Sequence, residues 1–228
     1  MKIKLISFDV WGTLLDLNLM LTSFINSLNE LIGEDASTYV MEVREHIKEL
    51  RRKFELKPGR DFELSQELLA EKLNAEIDVI KRAAAKATLR IDESIVIGGV
   101  DQVLRFVEEN GLKSIIIGNV MLWPSSYTRL ILEKFKLARY FDRQYYSDEV
   151  EAYKPMKEIF LKPLSEFGIS PSEAVHVGDS FFEDFKGALD AGFHAVLISQ
   201  RSKPEILHER GFVIENIRGL ITLLKREF

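Results

Sequence analysis

The chain has 228 residues, 46% hydrophobic and 29% charged, which suits one large domain or a core domain carrying a smaller insertion. A formal charge of -5 argues against a nucleic-acid surface, and no apolar run approaches the length of a membrane span. Cysteine is absent, which excludes disulfides, thiolate metal sites and cysteine nucleophiles.

The N-terminal "IKLISF" (3–8) reads as a strand of the continuously apolar kind and runs into Asp9. It is too short for a secretory signal, so a cytoplasmic location is the expectation. From about Leu17 to Asp92 only helical periodicity appears, in "LMLTSFINSLNELIG", "ASTYVMEVREHIKELRRKF", "LSQELLAEKLN" and "EIDVIKRAAAKATLR", with a turn at "LKPGRD" (56–61). This block predicts a separate helical cap over residues 16–92, set on a discontinuous core of residues 1–15 and 93–228. The simpler alternative is a set of helices covering one face of the sheet. The basic run "KELRRK" (48–53) reads as the solvated side of a helix.

Beyond the block, strand-type runs and helical patterns alternate. The strands are "KSIIIG" (113–118), "AVHVG" (174–178) and "HAVLIS" (194–199). Helices are predicted over 99–111, over 125–135 after Pro124, over 155–168 opened by Pro155, and over 181–192. Together these predict an α/β fold, a Rossmann-like parallel sheet covered on both faces, with the all-helical cap beside it.

Ligands of open parallel sheets bind beyond the carboxyl ends of the strands. Asp9 follows the first strand run, Asn119 the second and Asp179 the third; Lys154 lies in "AYKP" and Asp184 in "GDSFFED". One acid at a strand end is an ordinary turn residue or helix cap. Acids, an amide and a lysine at successive positions suit phosphate chemistry instead. A carboxylate can attack phosphorus, a hard cation such as magnesium takes oxygen ligands, and lysine offsets the accumulating charge. Asp9, Asp179 and Asp184 are the candidate magnesium ligands, and backbone amides at Val10 and Trp11, with Thr13 and Asn119, are candidates for holding the remaining oxygens.

These residues, in this order and spacing, resemble the haloacid dehalogenase superfamily of hydrolases, in the branch with a helical cap after the first strand. The matching stretches are "FDVWGTLLD", "IIIGN", "AYKP" and "HVGDSFFEDFKGALDAG". The resemblance implies a Rossmann-like core, nucleophile Asp9, catalytic Lys154, and a Mg2+ site from Asp9, the main-chain carbonyl of Trp11, Asp179 and Asp184. It also implies substrate contacts at Thr13, Gly118 and Asn119, and a small, phosphorylated substrate.

Two departures stand out. Phosphatases of the family read DxDGT, where the second Asp protonates the leaving group; here that position is Trp11. Dehalogenases carry an aromatic residue there, but replace the acid of "GD", which this chain keeps in "GDSFFED". Phe160 stands where that branch has a tyrosine, and Gly118 where both branches have a hydroxyl residue. The leading expectation is magnesium-dependent phosphate hydrolysis through an aspartyl-phosphate at Asp9. The rivals are a metal-free 2-haloacid dehalogenase and a catalytically weakened member that binds a ligand or a partner.

Asp16 and His46 are the reserve candidates for the missing acid, although Asp16 fits a helix N-cap better and His46 a surface position. Arg44, Arg51 and Arg52 are assigned to a solvated helix face, with grip on an anionic substrate as the alternative. His176 and His194 fall inside strand runs and read as core, and Trp123 is expected at the junction of core and cap.

Overall fold

The first apolar run forms strand β1 (Leu5–Phe8), buried along its whole length. The structure, a computed structural model, describes residues 2–200 and 205–228. Among these, β2 (Lys113–Gly118), β3 (Arg143–Tyr146), β4 (Ala174–Gly178), β5 (His194–Ile198), β6 (Glu205–His208) and β7 (Gly211–Ile214) join β1 in one sheet ordered β3-β2-β1-β4-β5-β7-β6. All neighbouring pairs are parallel except β6 and β7, so an antiparallel edge replaces the wholly parallel sheet expected. β2 and β4 occupy the predicted spans. β3 escaped prediction because it is short and opens on the polar Arg143 and Gln144.

Side chains alternate across the sheet, as strand geometry requires. Ile6 and Phe8 enter one apolar cluster with α5 (Val100–Glu109) and α10 (Gly219–Glu227); Leu5, Ile115 and Ile117 enter a second with α8 (Lys157–Phe167) and α9 (Gly187–Asp190). The sheet is therefore covered on both faces. α6 (Ser125–Lys134) and a single turn, α7 (Ser147–Val150), complete the described helices outside the inserted block. α8 starts two residues after Pro155, which therefore does not open it.

The block between β1 and β2 is helical, as its periodicity predicts: α1 (Leu17–Ile32), α2 (Ser37–Lys53), α3 (Asp61–Lys72) and α4 (Ile77–Arg90). Asp16 caps α1, its Oδ1 accepting from the amides of Asn18 at 2.8 Å and Leu19 at 3.2 Å, which contributes about 1 kcal/mol. α2 and α3 reach over the loop after β2. Arg51, Ser65 and Gln66 donate to the successive main-chain carbonyls of Val120, Met121 and Leu122. No described helix is long and apolar enough to cross a membrane.

The helix predicted over 181–192 begins instead as a widened π-helical turn, Phe181–Lys186, before α9. The amides of Asp184 and Phe185 both donate to the Ser180 carbonyl at 3.1 Å, and the Ser180 hydroxyl caps the Glu183 amide at 3.2 Å. Such turns bulge the backbone, and here the bulge carries Asp184 into the interior.

Candidate active site

After β1 the chain builds β2 and β3 to one side and then returns to place β4 on the other. The crevice of a sheet with this topology opens where the order reverses, beyond the ends of β1 and β4. Phe8 is in register with both Ile116 and Val177, so Asp9, Asn119 and Asp179 leave the sheet side by side around that crevice. A cleft of about 400 Å³ lies there, lined by Asp9, Asp179, Asp184 and Glu183 from the strand ends and by Arg44 and Arg51 from α2.

Lys154 holds the floor together. Its side chain is fully buried, and its Nζ donates to Asp9 Oδ1 and Asp184 Oδ1, both at 2.6 Å. Burial alone would lower the lysine, but the charges of Asp184 and Asp9 override it and raise its pKa above the ordinary range. Burial likewise pushes Asp184 up, and the Lys154 ammonium and His176 reverse that to below the usual carboxylate range. The Ser180 amide also donates to Asp184 Oδ2, at 2.9 Å. Burial keeps His176 neutral, and an ionised Asp184 accepts only, so His176 Nε2–H donates to it at 3.1 Å while Nδ1 faces Ser7 Oγ at 2.8 Å. His176 thus fixes an acid from behind, inside the core as expected.

Asp9 and Asp179 share what remains of the negative charge. Burial, opposed by Lys154 and reinforced by Asp184, raises Asp9 to about 6. Asp179 opens to solvent on one side; burial of the rest and the charges of Asp9 and Asp184 push it upward. Oxygens of Asp9, Asp179 and Asp184 come within 4.8 Å of one another, and Lys154 pairs with the first and last while Asp179 has no ion pair among the described residues. The backbone makes room for this crowding. Gly12 has φ +93°, and a Cβ on it would lie 2.3 Å from Asp179 Oδ2. Three carboxylates drawn together with one left unneutralised are an all-oxygen donor set that fits a hard divalent cation.

Trp11 stands at the edge of this floor, half-buried in the cleft wall. Its Nε1 donates to Thr128 Oγ1 at 3.3 Å, and its ring meets Trp123 edge-on at 5.2 Å and 74°. Trp123 in turn touches Phe24 of α1 at 6.1 Å, so the aromatic chain ties the β1 loop to the helical block. Neither reserve acid reaches the cleft: Asp16 is spent as the α1 cap, and His46 is exposed and does not line the cavity.

The arginines overturn one expectation. Arg44 and Arg51 are buried, at 6% and 2% exposure, not solvated; Arg52 alone stays on the exposed side. Both lie on the stripe Val40, Val43, Arg44, Ile47, Arg51, whose spacing is that of a core-facing helix surface. Arg51 donates to Asp61 Oδ2 at 2.8 Å and to Glu183 Oε1 at 3.4 Å, joining α2 to the π-turn beside Asp184. Glu183 was missed in the sequence because its partners are distant in the chain.

The remaining positions differ in what they offer a ligand. Asn119 accepts from the Lys154 amide at 2.8 Å and donates to the Lys154 carbonyl at 3.0 Å and to Glu183 at 3.1 Å, so it braces the lysine loop. Thr13 is fully buried, its hydroxyl 3.5 Å from Asp9 Oδ2. A Cβ on Gly118 would lie 2.9 Å from the Tyr146 ring, so that ring fills the space a hydroxyl residue would need. Phe160 packs edge-on against His176, away from the cleft. His194 is buried against Phe228.

The family model of the haloacid dehalogenase-like hydrolases matches residues 3–192. The chain belongs to that family. This haloacid dehalogenase-like hydrolase is 28% identical to the glyceraldehyde 3-phosphate phosphatase of Pyrococcus furiosus, over 99% of this chain and 95% of that one. Its fold is that of a hydrolase of the family from Bacillus subtilis solved bound to magnesium, with TM-score 0.76, 18% identity and coverage of 98% and 99% of the two chains. It is equally that of the L-2-haloacid dehalogenase of Xanthobacter autotrophicus, with TM-score 0.74, 19% identity and coverage of 99% and 100%.

Proposed function

We propose that the protein is a magnesium-dependent phosphohydrolase of small phosphorylated compounds, working through an aspartyl-phosphate at Asp9. The observation that carries this reading is the floor itself: three carboxylates within 4.8 Å of one another, one of them without an ion pair among the described residues. In this reading Asp9, Asp179, Asp184 and the Trp11 carbonyl hold magnesium, which when bound shields the phosphoryl charge from the carboxylates. Asp9 Oδ2, which lies 3.5 Å from the Thr13 hydroxyl while Lys154 holds Oδ1, attacks phosphorus as the bond to the leaving oxygen breaks. Lys154 neutralises charge on the nucleophile and the phosphoryl oxygens. Water then attacks the phosphorus of the aspartyl-phosphate, releasing phosphate and restoring the carboxylate. Residues 16–92 act as the cap that screens the cleft from water, on a core of 1–15 and 93–228.

Trp11 has no proton to give, so the leaving group must depart unaided or take its proton from solvent. A missing general acid costs about 10²–10⁴-fold. Acetyl phosphate and aryl phosphates are therefore expected to turn over about that much faster than glyceraldehyde 3-phosphate or glycerol phosphate, in magnesium and not in chelator. An assay of these substrates beside 2-chloropropionate tests the proposal. The aromatic Trp11 favours the dehalogenase reading, and chloride release in the presence of chelator would establish it instead.

Trp11→Asp is expected to raise activity on alkyl phosphates at least several-fold, short of that full range, because the new carboxylate lacks supporting contacts. Losing the Trp123 contact should lower stability by no more than the low end of about 3–5 kcal/mol, since the indole is only half-buried. A folded variant with no gain on any alkyl phosphate would show that Trp11 shapes the pocket for other chemistry.

A further inference from the structure

Two polar residues interrupt the apolar runs of the central strands. Ser7 stands in "LISF" of β1 and His176 in "AVHVG" of β4, both buried, and the parallel register sets them side by side. The strand ladder requires neither side chain, and an apolar pair there would leave no polar group to satisfy. Neither residue lines the cleft. Their hydrogen bonds nevertheless lead to it. Ser7 Oγ lies 2.8 Å from His176 Nδ1, and His176 Nε2 donates to Asp184 Oδ1 at 3.1 Å. Among the described residues the imidazole has no other hydrogen-bond partner, and Phe160 meets it edge-on at 5.1 Å. Ser7 therefore holds the ring in one orientation, since a ring turned over would lose both bonds at once and set carbon against Asp184.

We propose that Ser7 and His176 are positioning residues for magnesium, a buried relay from β1 through β4 that fixes the Asp184 carboxylate and so sets the affinity of the floor for the cation. The proposal rests on the magnesium-dependent reading of the site. Lys154 also reaches Asp184 Oδ1, but it is shared with Asp9, whose charge changes as the aspartyl-phosphate forms and breaks down. The His176 bond does not depend on Asp9. It ties an acid carried by the π-turn to a strand in the middle of the sheet. Partners of this kind, one step behind a metal ligand, usually contribute about 10–100-fold to metal affinity or activity.

The test is calorimetric titration with magnesium, which needs no turnover, beside melting curves in chelator. His176→Leu should bind magnesium about 10–100-fold more weakly than wild type. It strands no hydroxyl, because Ser7 Oγ can turn to the Val175 carbonyl 3.3 Å away. Ser7→Ala should lose about two- to tenfold, the usual worth of one neutral hydrogen bond. Ser7 acts only through His176, so the double variant should bind no more weakly than His176→Leu. His176→Gln, whose amide can still donate to Asp184, should keep part of the affinity. Ile6→Val loosens the core beside Ser7 and should melt below wild type while binding magnesium equally well. Unchanged affinity in His176→Leu would overturn the proposal, as would losses that add in the double variant or a loss in Ile6→Val as large as that in Ser7→Ala. If His176→Leu does not fold, wild-type affinity in both Ser7→Ala and His176→Gln overturns it equally. No magnesium binding by wild type would overturn the metal reading itself, and this proposal with it.

Discussion

Asp9→Asn is expected to lower turnover of acetyl phosphate by about 10⁴–10⁶-fold, the loss typical of removing a nucleophile that other groups act upon. The substitution is nearly isosteric and leaves Lys154 paired with Asp184 at 2.6 Å, so the loss should come without unfolding. Stability should move the other way. Asp9 is raised from 3.8 to about 6, so in chelated protein the folded state resists its ionisation, and its contribution to stability falls as pH rises through that window. Asparagine cannot ionise. The melting temperature of Asp9→Asn relative to wild type should therefore be higher at pH 7 than at pH 4. A variant that keeps more than about a hundredth of wild-type turnover would place the nucleophile elsewhere.

Such a variant probes the part of the site that the sequence made most legible. Asp9, Asn119 and Asp179 were found because each follows a run of buried aliphatic residues, and the parallel register then sets those run ends beside one another. Lys154 and Asp184 follow no strand run directly and were named from "AYKP" and from the second acid of "GDSFFED". What brings them into place is tertiary: the Asn119 amide on both main-chain groups of Lys154, and a π-turn whose doubled hydrogen bonds to Ser180 leave no local trace. β3 was hidden for a related reason, since "RQYY" is polar where it starts and only its last two residues are buried.

The arginines of α2 are the instructive error. Counting charges along "KELRRK" suggests a solvated face, whereas counting positions from Val40 puts Arg44 and Arg51 on the buried stripe. Periodicity should outrank charge there, because a helix that buries Val40, Val43 and Ile47 must carry positions 44 and 51 inward with them. The partners could not have been read the same way. Asp61 and Glu183 become counter-ions of Arg51 only when α3 and the π-turn converge on α2, and the cleft is bounded by that convergence. The wall of the cleft on the α2 side is therefore the least legible part of the chain, and the strand-end residues of its floor are the most legible.

Lys154→Met should have the largest effect on stability. It removes the cation 2.6 Å from two buried carboxylates and leaves Asp9 and Asp184 facing each other, at a cost of about 3–5 kcal/mol near neutral pH. The pH dependence follows from both partners. The raised pKa of Lys154 means that its contribution is complete below its unfolded value of 10.5 and disappears only as pH rises past its folded value. The lowered pKa of Asp184 means that its contribution is complete above 3.8 and disappears as pH falls towards its folded value. The deficit should thus be greatest around pH 7 and shrink below about pH 6, as protonation first of Asp9 and then of Asp184 relieves the repulsion. Millimolar magnesium should raise the melting temperature of Lys154→Met more than that of wild type, because a bound cation replaces the missing charge and stabilises the folded state by mass action. Turnover of acetyl phosphate should still fall by about 10²–10³-fold, since the charge that Lys154 directs at the phosphoryl oxygens is lost. Melting curves in chelator and in magnesium across that pH range decide the matter. A Lys154→Met protein as stable as wild type near neutral pH would mean that the two carboxylates do not depend on the lysine, and equal magnesium shifts in the two proteins would mean that the cation binds elsewhere.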